Sequence, residues 1–421
     1  MVILVATLVQ LIPSPAAASQ TEPNLPRAGI WRAWLESPGG DLPFGLELRS
    51  RDGRWSAWIL NGTERIAIPA VRIERDELVM SIAHYDSSVR AKVASDGRRL
   101  TGRWKKRRGK DLWTDMKFHA TFGESPRFRP LDPPAGPAAS STVAGRWAVR
   151  FSSSDEPAVG ILERVGKPDG SRKEVSGTFL TTTGDYRFLA GSLEGTKLRL
   201  SCFDGAHAFL FDATLRPDGT LAGDFWSSDN WHETWTARRD PGAKLPDGFA
   251  QTRWVGSATL ADLAFPDLDG HRRSLDDPAF AGKARLIEIF GSWCPNCHDA
   301  AALLTQLHEK YGSRGLSIVG LAFEVTGDFE RDAKQVRRYA TRHGVRYPLL
   351  IAGLSDKAKA TKALTVLDRV RSYPTMIFLH ADGRVRAIYS GFSGPATGAA
   401  HHTLRAEIEA IIEELLAEPS P

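Results

Sequence analysis

Residues 291–300 read GSWCPNCHDA, and within them Cys294, Cys297 and His298 spell C-x-x-C-H. Two chemistries use that spacing: a pair of thiols can close and exchange a disulfide, and the same letters attach a c-type haem. The elements around the motif decide between them. Before it, RLIEIFG is an apolar run of strand length; after it, HDAAALLTQLHEKYG carries apolar residues at helical spacing. The motif therefore falls where a strand ends and a helix begins. Cys294 is placed at the helix cap, with Pro295 at the first helical position, where a missing N–H costs nothing. The unpaired N–H groups and partial positive charge of a helix N-terminus favour a thiolate over a thiol whose ordinary pKa is about 8.5. Cys294 is expected to be the exposed, attacking sulfur. Cys297, one turn on, is the resolving sulfur that closes the ring and expels reduced product. Pro295 and Asn296 between them tune the potential.

The resolving thiol must lose a proton, and a buried carboxylate is a good acceptor. Glu288 interrupts the apolar run between Ile287 and Ile289 on a strand that helices cover on both faces. Its carboxyl is expected to be buried, with a raised pKa. Haem attachment fits less well: a c-type cytochrome is a small helical fold with a distal Met or His, and none of Met1, Met80, Met116 or Met376 is placed as that ligand. His298 then becomes a helix-surface neighbour of the thiols. A zinc site lacks a fourth ligand, since His401 and His402 lie far along the chain. A thiol peroxidase is a closer rival, but its Pro-x-x-x-Thr-x-x-Cys context is absent before Cys294. No metal is expected, and no cofactor beyond the Cys294–Cys297 disulfide.

The motif sits late in a chain of 421 residues, long enough for several cores. From about Trp254 onward, strand-like and helix-like segments alternate and end in a hairpin, PTMIFLHADGRVRAIYSG, and a helix through TLRAEIEAIIEELL. That order indicates an α/β domain with a mixed sheet, assigned to residues 255–418. The earlier chain has a different character: short alternating runs separated by Gly, Asp and Pro fill residues 29–126 and again 143–240. We expect two tandem all-β units, each a sandwich or a lipocalin-like barrel, joined by a Pro/Ala/Ser-rich linker over 127–142. Each unit opens on Gly-x-Trp (Gly29 and Trp31; Gly145 and Trp147). Each later carries Asp-Gly, Leu, Gly and Trp, as DGRRLTGRW and DGTLAGDFW, with Trp104 and Trp226 seven residues after their Gly. The many tryptophans, Trp34, Trp55, Trp58, Trp113, Trp231 and Trp235 among them, are either core or the lining of a binding face. A binding protein with an auxiliary redox domain is the rival reading from another class.

Composition narrows the setting. The formal net charge is +5, and the densest basic run, RWKKRRGK at 103–110, is read as a solvated hairpin turn, so no nucleic-acid partner is expected. Residues 1–18 combine an apolar stretch of about twelve residues with small residues around Ala18, as in a secretory signal, although no Lys or Arg precedes Arg27. The stretch is short for a membrane span, which needs about 20 residues, so no stable span is expected after cleavage. Cys202, alone in LRLSCFDG, is read as a small buried hydrophobe on a strand.

Together, FPDLDGHRRSLDDPAFAGKARLIEIFGSWCPNC and the later SYPTMIFLHADGRV resemble the TlpA/ResA-type thioredoxin-like thiol–disulfide oxidoreductases, from Ala258 to near Leu416. The resemblance implies that Trp293 shields the reactive sulfur and that Pro374 is a cis-proline facing the cysteines. It also implies a substrate face made by Tyr373, Pro295, Asn296 and Thr375, with the Tyr373 backbone offered to an extended chain. Glu288 falls where thioredoxins keep their buried acid. Two positions depart from the pattern: Ala300 stands where the family usually has a glutamate, and Tyr373 is bulkier than the usual residue before the proline. The expected function is dithiol–disulfide exchange on protein substrates in the periplasm or cell envelope, as a reductant fed by a membrane electron donor and serving cytochrome-c maturation.

Overall fold

The computed structural model describes residues 24–123, 126–131, 143–165, 174–256 and 259–418. The expected signal segment 1–18 and most of the expected 127–142 linker lie outside the described residues. Among the described residues the first unit is a meander of nine antiparallel strands, from Gly29–Ser37 to Trp113–Phe122, whose first strand pairs with its last. The sheet curls until its two free edges are the consecutive strands Glu64–Ile68 and Ala70–Glu74. The second unit closes fully. Gly145–Phe151 pairs with Ala158–Val165 on one side and Trp231–Arg239 on the other, and Ala158–Val165 also pairs with Glu174–Thr181 to complete the ring. Both units are barrels rather than sandwiches, which leaves few unpaired strand edges.

Period-2 alternation makes their cores. In the first barrel Trp31, Ala33 and Leu35 point inward. In the second, Trp147, Phe179, Phe211, Phe225 and Trp235 fill the interior, with Phe179 stacked on Phe211 at 4.7 Å and Phe211 on Phe225 at 4.3 Å. Among the described residues this interior is packed ring on ring, unlike the ligand cavity of a lipocalin. The tryptophans divide accordingly: Trp31, Trp104, Trp147 and Trp235 are core, whereas Trp113 and Trp231 are 41% and 48% exposed. Cys202 is fully buried on the strand Lys197–Phe203. Iodoacetamide should therefore leave it unlabelled in the native chain and label it in the denatured one, as read by mass spectrometry.

The internal repeat is real in three dimensions, with one shift. Trp31 and Trp147 are both buried, and each indole N–H donates to the carbonyl four residues earlier, Arg27 at 3.0 Å and Val143 at 2.9 Å. Leu100, Gly102 and Trp104 in the first barrel, however, match Leu221, Gly223 and Phe225 in the second. The inward position two residues after the glycine holds Phe225, and Trp226 points outward to stack on His232 at 5.1 Å. Aligning the two tryptophans ignored the period of 2, which fixes which residue faces inward.

Residues 284–417 form the α/β domain. Its strands are β1 (Ala284–Phe290), β2 (Leu316–Glu324), β3 (Leu349–Leu354), β4 (Thr375–His380) and β5 (Val385–Ser390). Its helices are α1 (Pro295–Tyr311), α2 (Phe329–His343), α3 (Lys357–Ala363) and α4 (Ala399–Ala417). The sheet order is β3-β2-β1-β4-β5, with β1, β2 and β3 parallel and β4 and β5 antiparallel. Nearly every residue of the central β1 is buried, because apolar residues of α1, α2 and α4 pack into one core with it. A site at the end of β1 is thus held by the most constrained part of the domain.

The barrels are joined to this domain and to each other by specific bonds. Asn61 donates to Phe203 O at 2.8 Å, and the half-buried Arg127 binds Leu60 O, the Asn61 side chain and Ser201. The described start of the expected linker is therefore a strap tucked between barrels. On α2, the Gln335 amide donates to Ala83 O (2.9 Å) and His84 O (2.7 Å), and Arg331 pairs with Asp86. The basic run is also more than a solvated turn: Lys106 donates to Ala206 O at 2.9 Å and Arg107 pairs with Asp86 at 2.7 Å, because the hairpin folds into the junction.

Candidate active site

The cap geometry follows from the residue types. Cys294 is the N-cap of α1 with extended backbone, Pro295 follows at the first helical position, and the Cys294 sulfur accepts the Cys297 N–H at 3.3 Å. A free helix N–H is thereby given to the sulfur, which stabilises negative charge there. The Cys294 thiol also reaches the Tyr373 carbonyl, at 3.5 Å. The Tyr373–Pro374 peptide is cis. Among the described residues no disulfide joins Cys202, Cys294 or Cys297.

Cys297 is completely buried, and its thiol is pushed well above the usual value by burial, then by the neighbouring Cys294 sulfur and by Glu288. Glu288 lies on β1 with no exposed surface, and among the described residues neither carboxyl oxygen has a partner at hydrogen-bond geometry. Burial pushes it up to about 8, charge on Cys294 adds to this, and the Tyr347 hydroxyl opposes it. The ionised fraction of Glu288 grows as pH rises towards about 8, and that carboxylate, more basic than an ordinary one, can accept the proton of a thiol. Ala300 is wholly buried and supplies no second acid.

A second buried carboxylate, missed by the sequence reading, closes β2. Glu324 has no exposed surface, and its oxygens accept the Ser292 N–H and the Ser292 hydroxyl, both at 2.7 Å. Burial raises it to about 7, with Ser292 opposing. The signal was available, since Glu324 ends the apolar run LSIVGLAF as Glu288 interrupts RLIEIFG. Ser292 is held from its other side by His298, whose Nε2–H donates to Ser292 O at 2.8 Å; its Nδ1 therefore accepts from His343 Nε2 at 2.6 Å. His298 was expected on the helix surface, yet it is only 6% exposed, because Tyr85 of the first barrel packs its ring 4.5 Å away. Burial holds its pKa well below the ordinary value, so it is a neutral strut. Glu324→Ala strands the Ser292 N–H and hydroxyl in a dry site and should cost about 2–4 kcal/mol in urea unfolding. Glu324→Gln, which keeps one acceptor, should cost less.

The remaining expected site residues fall in three positions. Trp293 is half-buried, donates to Phe323 O at 2.9 Å and meets the Tyr373 ring edge-on at 5.5 Å, forming a wall beside the sulfur. Pro295 is buried, and Asn296 turns towards the second barrel at Gly184. Thr375 does not face a substrate: it is fully buried, and its hydroxyl donates to Ser372 O at 2.9 Å because β4 starts inside the sheet. Cys294 was expected to be exposed and is 6% exposed. Burial pushes the Lys106 ammonium down to about 8, and the charges of Asp204 and Cys294 oppose this.

A dithiol capping a helix after a central strand, backed by a buried acid and a cis-proline loop, defines a thioredoxin-like redox domain. Residues 241–402 match the Redoxin family. The chain is 29% identical over 130 residues to the thioredoxin-like protein YneN of Bacillus subtilis, covering 31% of this chain and 68% of that protein. It is 26% identical over 137 residues to the thiol-disulfide oxidoreductase ResA of Geobacillus kaustophilus, covering 32% and 70%. Among solved structures, a secreted disulfide oxidoreductase of Mycobacterium tuberculosis described as homologous to E. coli DsbE is similar at 16% identity over 36% of this chain and 95% of that one, with a TM-score of 0.27. The C-terminal domain is thus similar to TlpA/ResA-like proteins of the thioredoxin superfamily.

Proposed function

We propose that this protein is a disulfide reductase that acts on protein disulfides in the cell envelope through Cys294 and Cys297. The observation that carries this reading is the Cys294 sulfur at the cap of α1, 3.5 Å from the carbonyl of the cis-proline loop. In the first step the Cys294 thiolate attacks one sulfur of the substrate disulfide, and the other leaves as thiolate. In the second, Cys297 loses its proton to the ionised Glu288 carboxylate and attacks the Cys294 sulfur of the mixed disulfide; the Cys294–substrate bond breaks, the substrate sulfur leaves as a second thiolate, and the Cys294–Cys297 disulfide closes. Turnover then needs an external dithiol, for which a membrane electron donor is the proposed source. Of the chemistry beyond the thiols, Glu288 moves the proton, the Ser292–Glu324–His298 set fixes the turn before Cys294, and Trp293 walls the sulfur.

Envelope action is supported by the signal-like residues 1–18, and cytochrome-c maturation is the proposed setting for the reductant. Among the described residues no helix is long and apolar enough to cross a membrane. Direction is tested by equilibrating the full chain with glutathione buffers and reading the fraction of Cys294–Cys297 disulfide. A reductant should have a potential near that of thioredoxin, about −270 mV; one near about −120 mV would make the protein an oxidant instead.

A further inference from the structure

Three loops of the C-terminal domain come together at Cys294: the motif itself, the residues leading to Pro374, whose Tyr373 carbonyl lies 3.5 Å from the sulfur, and the segment between β5 and α4, whose Gly391 N–H donates to Pro374 O at 3.0 Å. A single hairpin of the second barrel, Thr182–Arg187, touches all three. Gly184 lies so close to Asn296, between the cysteines, that a Cβ added there would sit 1.9 Å from the Asn296 amide nitrogen. The Thr182 hydroxyl accepts from Arg371, two residues before Tyr373, at 3.0 Å. Asp185 accepts the Gly394 N–H at 2.7 Å, and a Cβ on Gly391 would meet Thr182 O at 3.1 Å.

The hairpin is anchored as well as placed. Arg187 is buried with φ +61° and pairs with Asp299 of α1, with Asp204 of its own barrel at 3.4 Å and with Glu64 of the first barrel at 3.5 Å. One guanidinium thus ties all three folded units together, two residues beyond Cys297. Asp185 in turn accepts the Arg187 N–H at 2.8 Å, so the contact to Gly394 and the ionic centre move together.

We propose that Thr182–Arg187 is a built-in strap over the substrate groove, which closes the dithiol to protein partners until the second barrel withdraws. This rests on the reading of Cys294 as the attacking sulfur. A protein disulfide has to reach the same three loops that the strap occupies, so substrate and strap compete. Small thiol reagents need less room, and the strap should discriminate by size.

The test uses the reduced full chain and reads labelling of Cys294 by N-ethylmaleimide and by a polyethylene-glycol maleimide, with the labelled residue located by mass spectrometry. In the wild type the bulky reagent should be slower by about a hundredfold, beyond its ratio on a free peptide thiol. G184V pushes the strap off Asn296, and R187Q leaves three carboxylates without their cation. Either variant should raise the bulky rate about tenfold or more, while the small reagent changes little. Equal rates for the two reagents on the wild type would overturn the proposal, whatever the variants do. So would folded variants, judged by circular dichroism, that label as slowly as the wild type. Labelling reads access and not turnover, so an inactive protein with a closed groove would refute the redox reading and leave the strap standing.

Discussion

Cys294→Ser is expected to lower the rate of protein-disulfide reduction by at least on the order of a thousandfold, measured with a disulfide-bonded protein and dithiothreitol as electron source. The hydroxyl cannot form the mixed disulfide, although the cap can still accept the Cys297 N–H that the sulfur accepts now. Cys297 cannot take over. It is completely buried, its thiol is held well above the ordinary value, and its N–H and carbonyl are engaged, the latter by the Tyr339 hydroxyl at 2.9 Å. Cys297→Ser should behave differently, keeping the first attack and stalling with substrate bound to Cys294. A protein whose function resided in its barrels alone would keep its activity in both variants.

The second large effect concerns Glu288 and has opposite signs for rate and stability. Its folded pKa of about 8 is above the ordinary carboxyl value of 4.5, so the folded chain holds a proton that the unfolded chain gives up between those values. Stability is thus unaffected below about pH 4.5 and falls as pH rises towards and through about 8. The full loss is about 3–5 kcal/mol. Glu288→Gln cannot ionise, so its stability advantage over the wild type should widen from pH 5 to pH 9 in urea unfolding. The same variant should slow exchange on the order of a hundredfold, and the rise in rate near pH 8 should vanish. A variant that lost the pH-dependent stability difference but kept the rate profile would place the proton acceptor elsewhere, with Glu324 the next buried carboxylate to test.

Local chemistry was legible in the sequence where one segment contained it. The strand-to-helix position of Cys294, the Pro295 start and the burial of Glu288 all follow from residues within ten places of the motif, and the barrels follow from alternation and turn residues. What was not legible depends on packing between units. His298 looks like a surface residue on α1 because nothing in its own domain announces that Tyr85, more than two hundred residues earlier, will cover it. Arg187 looks like an ordinary loop arginine until Glu64, Asp204 and Asp299 converge on it. Lys106 belongs to a run that reads as solvated, and only the fold turns it inward. Thr375 was assigned to a substrate face through its place beside Pro374, but a β-strand sends successive side chains to opposite faces, and this one goes into the sheet.

The order of attack is the central claim, and a trapping experiment on the full chain tests it most directly. The Cys297→Ser protein, reduced and then mixed with a disulfide-bonded protein, should accumulate a covalent adduct that mass spectrometry places on Cys294 and that dithiothreitol releases. An adduct on Cys202, or no adduct even when G184V is added to release the strap in a folded, fully reduced protein whose Cys294 reacts with N-ethylmaleimide, would contradict the account.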